Sequence, residues 1–212
     1  MKVKNICKYI KKDSIKFNGK FCIILRCDKV RWRDRSDFGE RRGFKMNYKL
    51  ATEEDLDEIC SLIKSAIAEM EQNGIPQWDE IYPSREDFLN DIKAGCLFAG
   101  ELCEGGKKRI AVIYALNKEC DEEYKNGDWK YDGDFRVVHR LCVHPDFQRR
   151  GIARDTLIHI ENQAKELGAK SIRLDVFSLN PFSLRLYEHA GYSKTGEANW
   201  RKGLFYLMEK GI

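Results

Sequence analysis

From Met46 onward the sequence changes hydrophobic period repeatedly, and the order of those changes restricts the fold more than any other feature. A short strand-like stretch in "MNYKL" gives way to a run in which Leu56, Ile59, Cys60, Ile63, Ile67 and Met70 recur at helical spacing. Thr52 with Asp55 three residues later supplies a capping box for that helix, and Asn73-Gly74 marks its end. "IPQWDEIYP" reads as an aromatic-bearing loop, after which Ser84 with Asp87 caps a second helix in "SREDFLNDIKAG". "CLFAGELCEGGKKRIAVIYALN" is two strands joined by a Gly-Gly turn. A polar connection over residues 118–134 leads to a strand, "RVVHRLCVHP", and then to a helix over residues 150–167 stopped by Gly168. A strand, "SIRLDVFS", and a helix, "PFSLRLYEHAG", follow, and strand candidates at residues 192–195 and 204–208 close the chain. The order β-α-α-β-β-β-α-β-α-β-β, without internal repeat, predicts a mixed α/β domain. Its expected form is a central mixed sheet of six to seven strands flanked by about four helices.

The 212 residues are 42% hydrophobic, enough to bury one core. No run of 18 apolar residues exists to make a membrane helix, and "MKVKNICKYIKK" lacks the apolar stretch of a signal peptide. The eight cysteines are scattered, without a CxxC pair or a His at ligand spacing. They read as reduced thiols of a cytoplasmic protein, and no metal site is expected. Charge divides the chain. Residues 1–45 hold 15 Lys and Arg against 5 Asp and Glu, a net of +10, which leaves −6 on the rest of a chain of net charge +4. A basic arm would ordinarily point to nucleic acid or a membrane surface. This one has no clean amphipathic period and mixes signs in "RWRDRSD", and the acidic remainder disfavours a polyanion, so neither partner is expected. Glu40-Arg41-Arg42-Gly43 can be encoded by the purine-rich sequence that binds bacterial ribosomes, a few codons before Met46. Residues 1–45 therefore read either as a basic arm or as a leader translated from a misassigned start, with the working domain at residues 46–212.

The seam between strand and helix in "CVHPDFQRRGIARDTLIHI" carries the chemistry. Free N–H groups of a first helical turn, together with the positive end of the helix dipole, make an anion site. Gly151 removes a Cβ where an anion would approach, small Ala153 keeps the approach open, and Arg149 and Arg150 add positive charge. Neither GxxxxGK[ST] nor GxGxxG is present.

"QRRGIA" resembles the Q/R-x-x-G-x-G/A signature of the GCN5-related N-acetyltransferase (GNAT) superfamily, whose members move an acetyl group from acetyl-CoA to an amine. "SLNPFSLRLYEHAGY" is similar to a second segment of that family, with Asn180, Tyr187, Gly191 and Tyr192 in place. The strand and "HP" before the seam also match, as does the element order; the resemblance covers residues 46–212. It implies acetyl-CoA as acyl donor. The backbone of Leu141, Cys142 and Val143 would pair with the pantetheine amides. Arg149, Arg150, Gly151, Ile152, Ala153 and Arg154 would carry the pyrophosphate, mostly through main-chain N–H groups. Asn180 would bond the cofactor arm or order its loop. Tyr187 would stand near the sulfur and protonate the departing thiolate, while the amine attacks the thioester directly in a ternary complex.

That amine must lose a proton. Asp175, which matches a glutamate base in relatives that acetylate ribosomal-protein N-termini, is the first candidate base, with His139 second. Trp78, Trp129 and Tyr131 either wall the acceptor pocket or are loop hydrophobes packed on the core. The expected acceptor is a small-molecule amine or a peptide N-terminus, and the protein a monomer or homodimer. The alternative is a module that senses acetyl-CoA or CoA without chemistry.

Overall fold

The computed structural model describes residues 46–212 throughout and, before them, the backbone of residues 11–17 and 20–26. Strands β1 (Lys11–Phe17) and β2 (Lys20–Arg26) pair antiparallel within a unit of their own, residues 1–43. The choice between arm and leader lies outside the described residues.

The second unit holds a seven-stranded sheet in the order β3-β4-β5-β6-β7-β9-β8. Its strands are β3 (Asn47–Leu50), β4 (Leu97–Glu104), β5 (Lys107–Asn117), β6 (Phe135–Val143), β7 (Ser171–Phe177), β8 (Ser193–Trp200) and β9 (Gly203–Gly211). Four helices cover it: α1 (Leu56–Gln72), α2 (Arg85–Lys93), α3 (Ile152–Glu166) and α4 (Pro181–His189). This is the expected mixed α/β architecture. Boundaries move by a few residues, most at β8, which the sequence reading ended at Thr195. The residues 196–200 that extend it mix Gly196, Glu197 and Asn199 with Ala198 and Trp200, without a clear strand pattern, and they join by pairing with β9.

The helices form for the reasons their sequences give. Leu56, Ile59, Leu62, Ile63 and Ala66 put one buried stripe along α1. At its entrance the Thr52 amide donates to Asp55 Oδ2 at 2.8 Å, and at α2 the Ser84 amide donates to Asp87 Oδ2 at 2.7 Å. The stripe of α1 and Phe88 of α2 pack on Ile110, Ile113 and Ala115 of β5. Leu157, Ile160 and Ala164 of α3 pack on the other face, against Tyr114 and Leu116 of β5 and Ile172, Leu174 and Val176 of β7. Covered on both faces, β5 carries a continuous apolar run instead of an alternation. Each fully buried Leu or Ile in these layers contributes about 1.5–3 kcal/mol.

Two departures from regular pairing shape the site. Residues 135–138 of β6 pair in parallel with residues 171–174 of β7, and the pairing ends there. On its other edge β6 shifts register against β5 between Ile113 and Ala115, a bulge that contains Arg140 at φ 53°. The bulge twists β6 away from β7, so residues 139–143 keep a backbone edge free of strand pairing.

Candidate active site

The gap beside β6 opens into a cavity of about 400 Å³. Leu141, Cys142 and Val143 form one wall, Arg149, Gly151, Ile152, Ala153 and Arg154 of the α3 entrance another, and Asn180 and Tyr187 of α4 a third. Gly151 caps α3 at φ 86°, and a Cβ there would meet no atom within 4 Å. Left-handed backbone in open space is what glycine allows and other residues resist. Arg149 stands at φ 60°, also in the left-handed region. Arg150 behaves differently from its neighbours. Its guanidinium turns back to Glu104 Oε1 at 2.6 Å and the Asp146 carbonyl at 2.8 Å, and it lies over the Phe147 ring. Of Arg150, the seam therefore keeps the backbone; the side-chain charge is spent on the loop.

Asn180 caps α4. Its Oδ1 accepts from the Ser183 amide at 3.1 Å, and its Nδ2 donates to Gln77 Oε1 at 2.7 Å. It thus orders the loop and fastens it to the aromatic segment after α1. Glu69 of α1 also lines this cavity, while its Oε2 is buried and without a hydrogen-bond partner among the described residues.

A second cavity, of about 620 Å³, adjoins the first. Gln77, Trp78, Leu141, Ser183 and Tyr187 line both. Tyr187 is buried, and burial first, then the nearby Asp175 and Cys142, push its phenol well above the usual tyrosine range. It keeps its proton and can donate. Among the described residues its hydroxyl makes no hydrogen bond.

Asp175 lines the second cavity from β7. It retains some accessible area yet lies beneath the outer surface, because what it exposes faces the cavity. Burial raises its carboxyl above the ordinary range, opposed by His139, by the Tyr124 hydroxyl that donates to Oδ1 at 2.9 Å, and by Arg140. His139 lines the same cavity, its Nε2 3.1 Å from the Glu119 carbonyl and 3.2 Å from Asn117 Oδ1. A carbonyl oxygen only accepts, so Nε2 carries the proton in that contact and Nδ1 is the nitrogen left for base chemistry.

Trp78 lines both cavities, but Trp129 and Tyr131 line neither. This corrects the reading of them as acceptor-pocket walls. The connection that bears them folds back on the sheet: its 3-10 turn Glu122–Asn126 buries Tyr124, and the Asp128 amide donates to the Thr195 carbonyl of β8. Trp129 stacks on Tyr124 at 5.7 Å, donates from Nε1 to the Tyr124 carbonyl and lies under the Arg173 guanidinium. Tyr131 is 45% exposed and covers Gly211.

Sequence reasoning missed most of the second cavity. Arg140 faces it from the β6 bulge, clamped by Asp91 at 2.7 and 2.9 Å and by the Tyr82 hydroxyl at 3.0 Å. Arg201 and Lys202, in the turn between β8 and β9, face it from elsewhere and both bond Asp79. No local pattern announces these pairs. The available signal was the presence of aspartates and Tyr82 around the aromatic loop.

A split central strand pair, a glycine-opened helix and a buried tyrosine between two cavities mark this mixed α/β domain. The acetyltransferase (GNAT) family model matches residues 62–192, and the chain belongs to that family. A solved structure of a GNAT-family acetyltransferase from Streptococcus agalactiae superposes with a TM-score of 0.66 at 27% identity, covering 80% of this chain and 98% of that one. The L-amino acid N-acyltransferase MnaT of Escherichia coli is 33% identical over 73 residues, 34% of this chain and 42% of that protein. The [ribosomal protein bS18]-alanine N-acetyltransferase of Salmonella typhimurium is 33% identical over 61 residues, 29% of this chain and 41% of that protein. The matches to these two curated relatives therefore span less than half of their length.

Proposed function

We propose that residues 46–212 form an N-acetyltransferase that uses acetyl-CoA and an amine acceptor, a small molecule or a peptide N-terminus. One observation carries the reading: Tyr187 lies where the two cavities meet, and the cavities differ in kind. The first suits the cofactor. Its α3 entrance offers helix N–H groups and an unobstructed glycine to a pyrophosphate, and its β6 edge offers backbone outside the strand pairing to the amides of an extended arm, with the Val143 carbonyl held by Gln148 Nε2 at 3.2 Å. Both curated relatives act on amines by their names, in keeping with an amine in the second cavity.

When bound, acetyl-CoA supplies an acyl group already activated as a thioester. The chain then has to position, deprotonate and donate. Asp175, or Nδ1 of His139, accepts the proton of the incoming ammonium, directly or through water. The Tyr187 hydroxyl donates toward the sulfur position. Because a thiol titrates near 8.5 and burial holds the phenol far above that, Tyr187 acts mainly as a hydrogen-bond donor until the C–S bond has broken. Cys142 also lines the cofactor cavity, and burial pushes its thiol up to about 12. An un-ionised thiol does not capture the acyl group, which favours direct attack by the amine over a covalent relay.

The test is release of free thiol from acetyl-CoA on addition of an amine panel, beside calorimetry with CoA. Binding and amine-dependent release are expected. CoA binding with no release from any amine would leave a sensor module, and absence of CoA binding would end the assignment. The same assays on a chain begun at Met46 are expected to give the same values.

A further inference from the structure

Resting on the second cavity as the acceptor site, we infer that the acceptor is an amine that also carries a carboxylate several bonds away. The cavity is charged with opposite signs at two ends. At the junction with Tyr187 stands Asp175, with Glu119 and Asp121 also in the wall. At the other end the turn between β8 and β9 presents Arg201 and Lys202.

Both cations bond Asp79, and Glu80 lies near enough to Arg201 to act on it through space. Arg201 donates from Nη1 and Nη2 to Asp79 at 2.8 Å each, and Lys202 Nζ lies 2.6 Å from Asp79 Oδ2. Asp79 also accepts the Ile81 and Tyr82 amides on Oδ1, so its oxygens are taken. It does not line the cavity, whereas the cations do. Glu80 does not line it either, so what the turn presents to the acceptor is the two cations. Arginine has five N–H donors and lysine three, so donors remain after Asp79 is served. Arg140 differs, because it is matched one to one by Asp91 with both side chains nearly covered, at 15% and 10% exposure.

Strand register sets the spacing. Asp175 is opposite Leu207, and the turn lies just past Gly203, four residues along β9. At about 3.3 Å per residue the backbones that bear the opposite charges stand roughly 13 Å apart. A monoamine would leave the Arg201–Lys202 end unmatched, and a diamine would meet like charge there. An amine joined by a flexible chain to a carboxylate satisfies both ends, and the carboxylate finds charge-assisted donors.

The experiment compares glycine, β-alanine, 4-aminobutyrate and 6-aminohexanoate with their amides as acceptors in the thiol-release assay. We expect kcat/KM for each acid to exceed that of its amide, with a ratio that grows with chain length to roughly tenfold or more. The double variant Arg201→Gln/Lys202→Gln should collapse that ratio toward one. Asp79→Asn keeps an oxygen for the Ile81 and Tyr82 amides and removes the competing charge, so it should lower KM for the acids. A role confined to holding the loop would make both variants impair acids and amides alike. Acid-to-amide ratios near one at every length, or falling with length, would overturn the inference and leave the acetyltransferase reading intact. If no amine at all is acetylated by a chain that binds CoA, the reading beneath it fails as well.

Discussion

The two cavities that meet at Tyr187 are built by different means. The first would hold its ligand by backbone, a strand edge outside the sheet pairing, a left-handed glycine and a helix entrance in two short segments, closed by side chains of α1 and α4. The second is mostly side chain. Its walls come from the loop after α1, the β6 bulge, the connection after β5, β7 and the β8–β9 turn, and its charges are set by pairs 49 to 122 residues apart, Arg140 with Asp91 and Arg201 with Asp79. A backbone site recognises a ligand that does not vary, since the chain path must be kept to keep it. A side-chain site can change charge and shape by substitution while the sheet stays as it is. One domain can therefore hold a fixed donor and a variable acceptor.

The largest break in that contrast should come at Gly151. Glutamate there forces φ 86° on a residue with a Cβ and puts negative charge where the pyrophosphate is expected. CoA binding should fall below detection by calorimetry while the circular dichroism melt remains cooperative. Unchanged CoA affinity in a folded Gly151→Glu protein would remove the donor site from this cavity.

Tyr187→Phe comes next, because it acts where the cavities join. Ring packing survives, so CoA affinity should hold, and kcat should drop by roughly 10²-fold, the low end for a lost proton donor. The low end follows from a phenol that donates a hydrogen bond more readily than it gives up its proton. A wild-type single-turnover rate would make Tyr187 a packing residue and place the donor elsewhere.

At Asp175 the expected effect is smaller and depends on pH. Burial raises its carboxyl above the ordinary value near 3.9, so protonation disables it as a base at a pH higher than usual for an aspartate. kcat/KM should rise with pH through that inflection, and Asp175→Asn should flatten it, at a loss below the one at Tyr187. Stability has the opposite sign. The folded state holds this proton more tightly than the unfolded state, so stability is lost as pH rises from the unfolded value through the folded one. The melting temperature of Asp175→Asn relative to wild type should therefore climb across that window. A parallel offset at all pH values would mean that Asp175 does not titrate there.

What the sequence disclosed divides along the same line. Hydrophobic periods, capping boxes at Thr52 and Ser84 and the Gly-Gly turn depend on neighbours in the chain, and they foretold the order of elements. The seam at residues 148–154 is local as well, and it was legible. Arg150 was half legible: its backbone is at the seam, but Glu104, 46 residues earlier, decides where its guanidinium goes. The Asp79 and Asp91 pairs form only when the sheet brings distant loops together. Nothing in "IPQWDEIYP" tells a cavity wall from a surface loop.

The smallest expected effect tests whether the second cavity ends where its lining does. Trp78 lies in the walls of both cavities, whereas Tyr131 stands outside them, 45% exposed over Gly211. Trp78→Ala should raise the acceptor KM by roughly tenfold, because a half-buried aromatic wall contributes a few kcal/mol of contact and part of that reaches the ligand. Tyr131→Ser removes a half-exposed ring that touches no cavity, so kcat and both KM values should stay within about twofold, with a change in stability of about 1 kcal/mol or less. Trp129 lies between these cases. It is packed under Arg173 and on Tyr124, whose hydroxyl bonds Asp175, so Trp129→Phe can reach the site only through that chain. If Tyr131→Ser raised the acceptor KM as much as Trp78→Ala does, the acceptor would have to extend beyond Glu119, Cys120 and Asp121 to the later part of that connection, around Tyr131. The charge pattern at Arg201 and Lys202 would then describe one part of a longer groove, and a peptide would fit it better than a small amine.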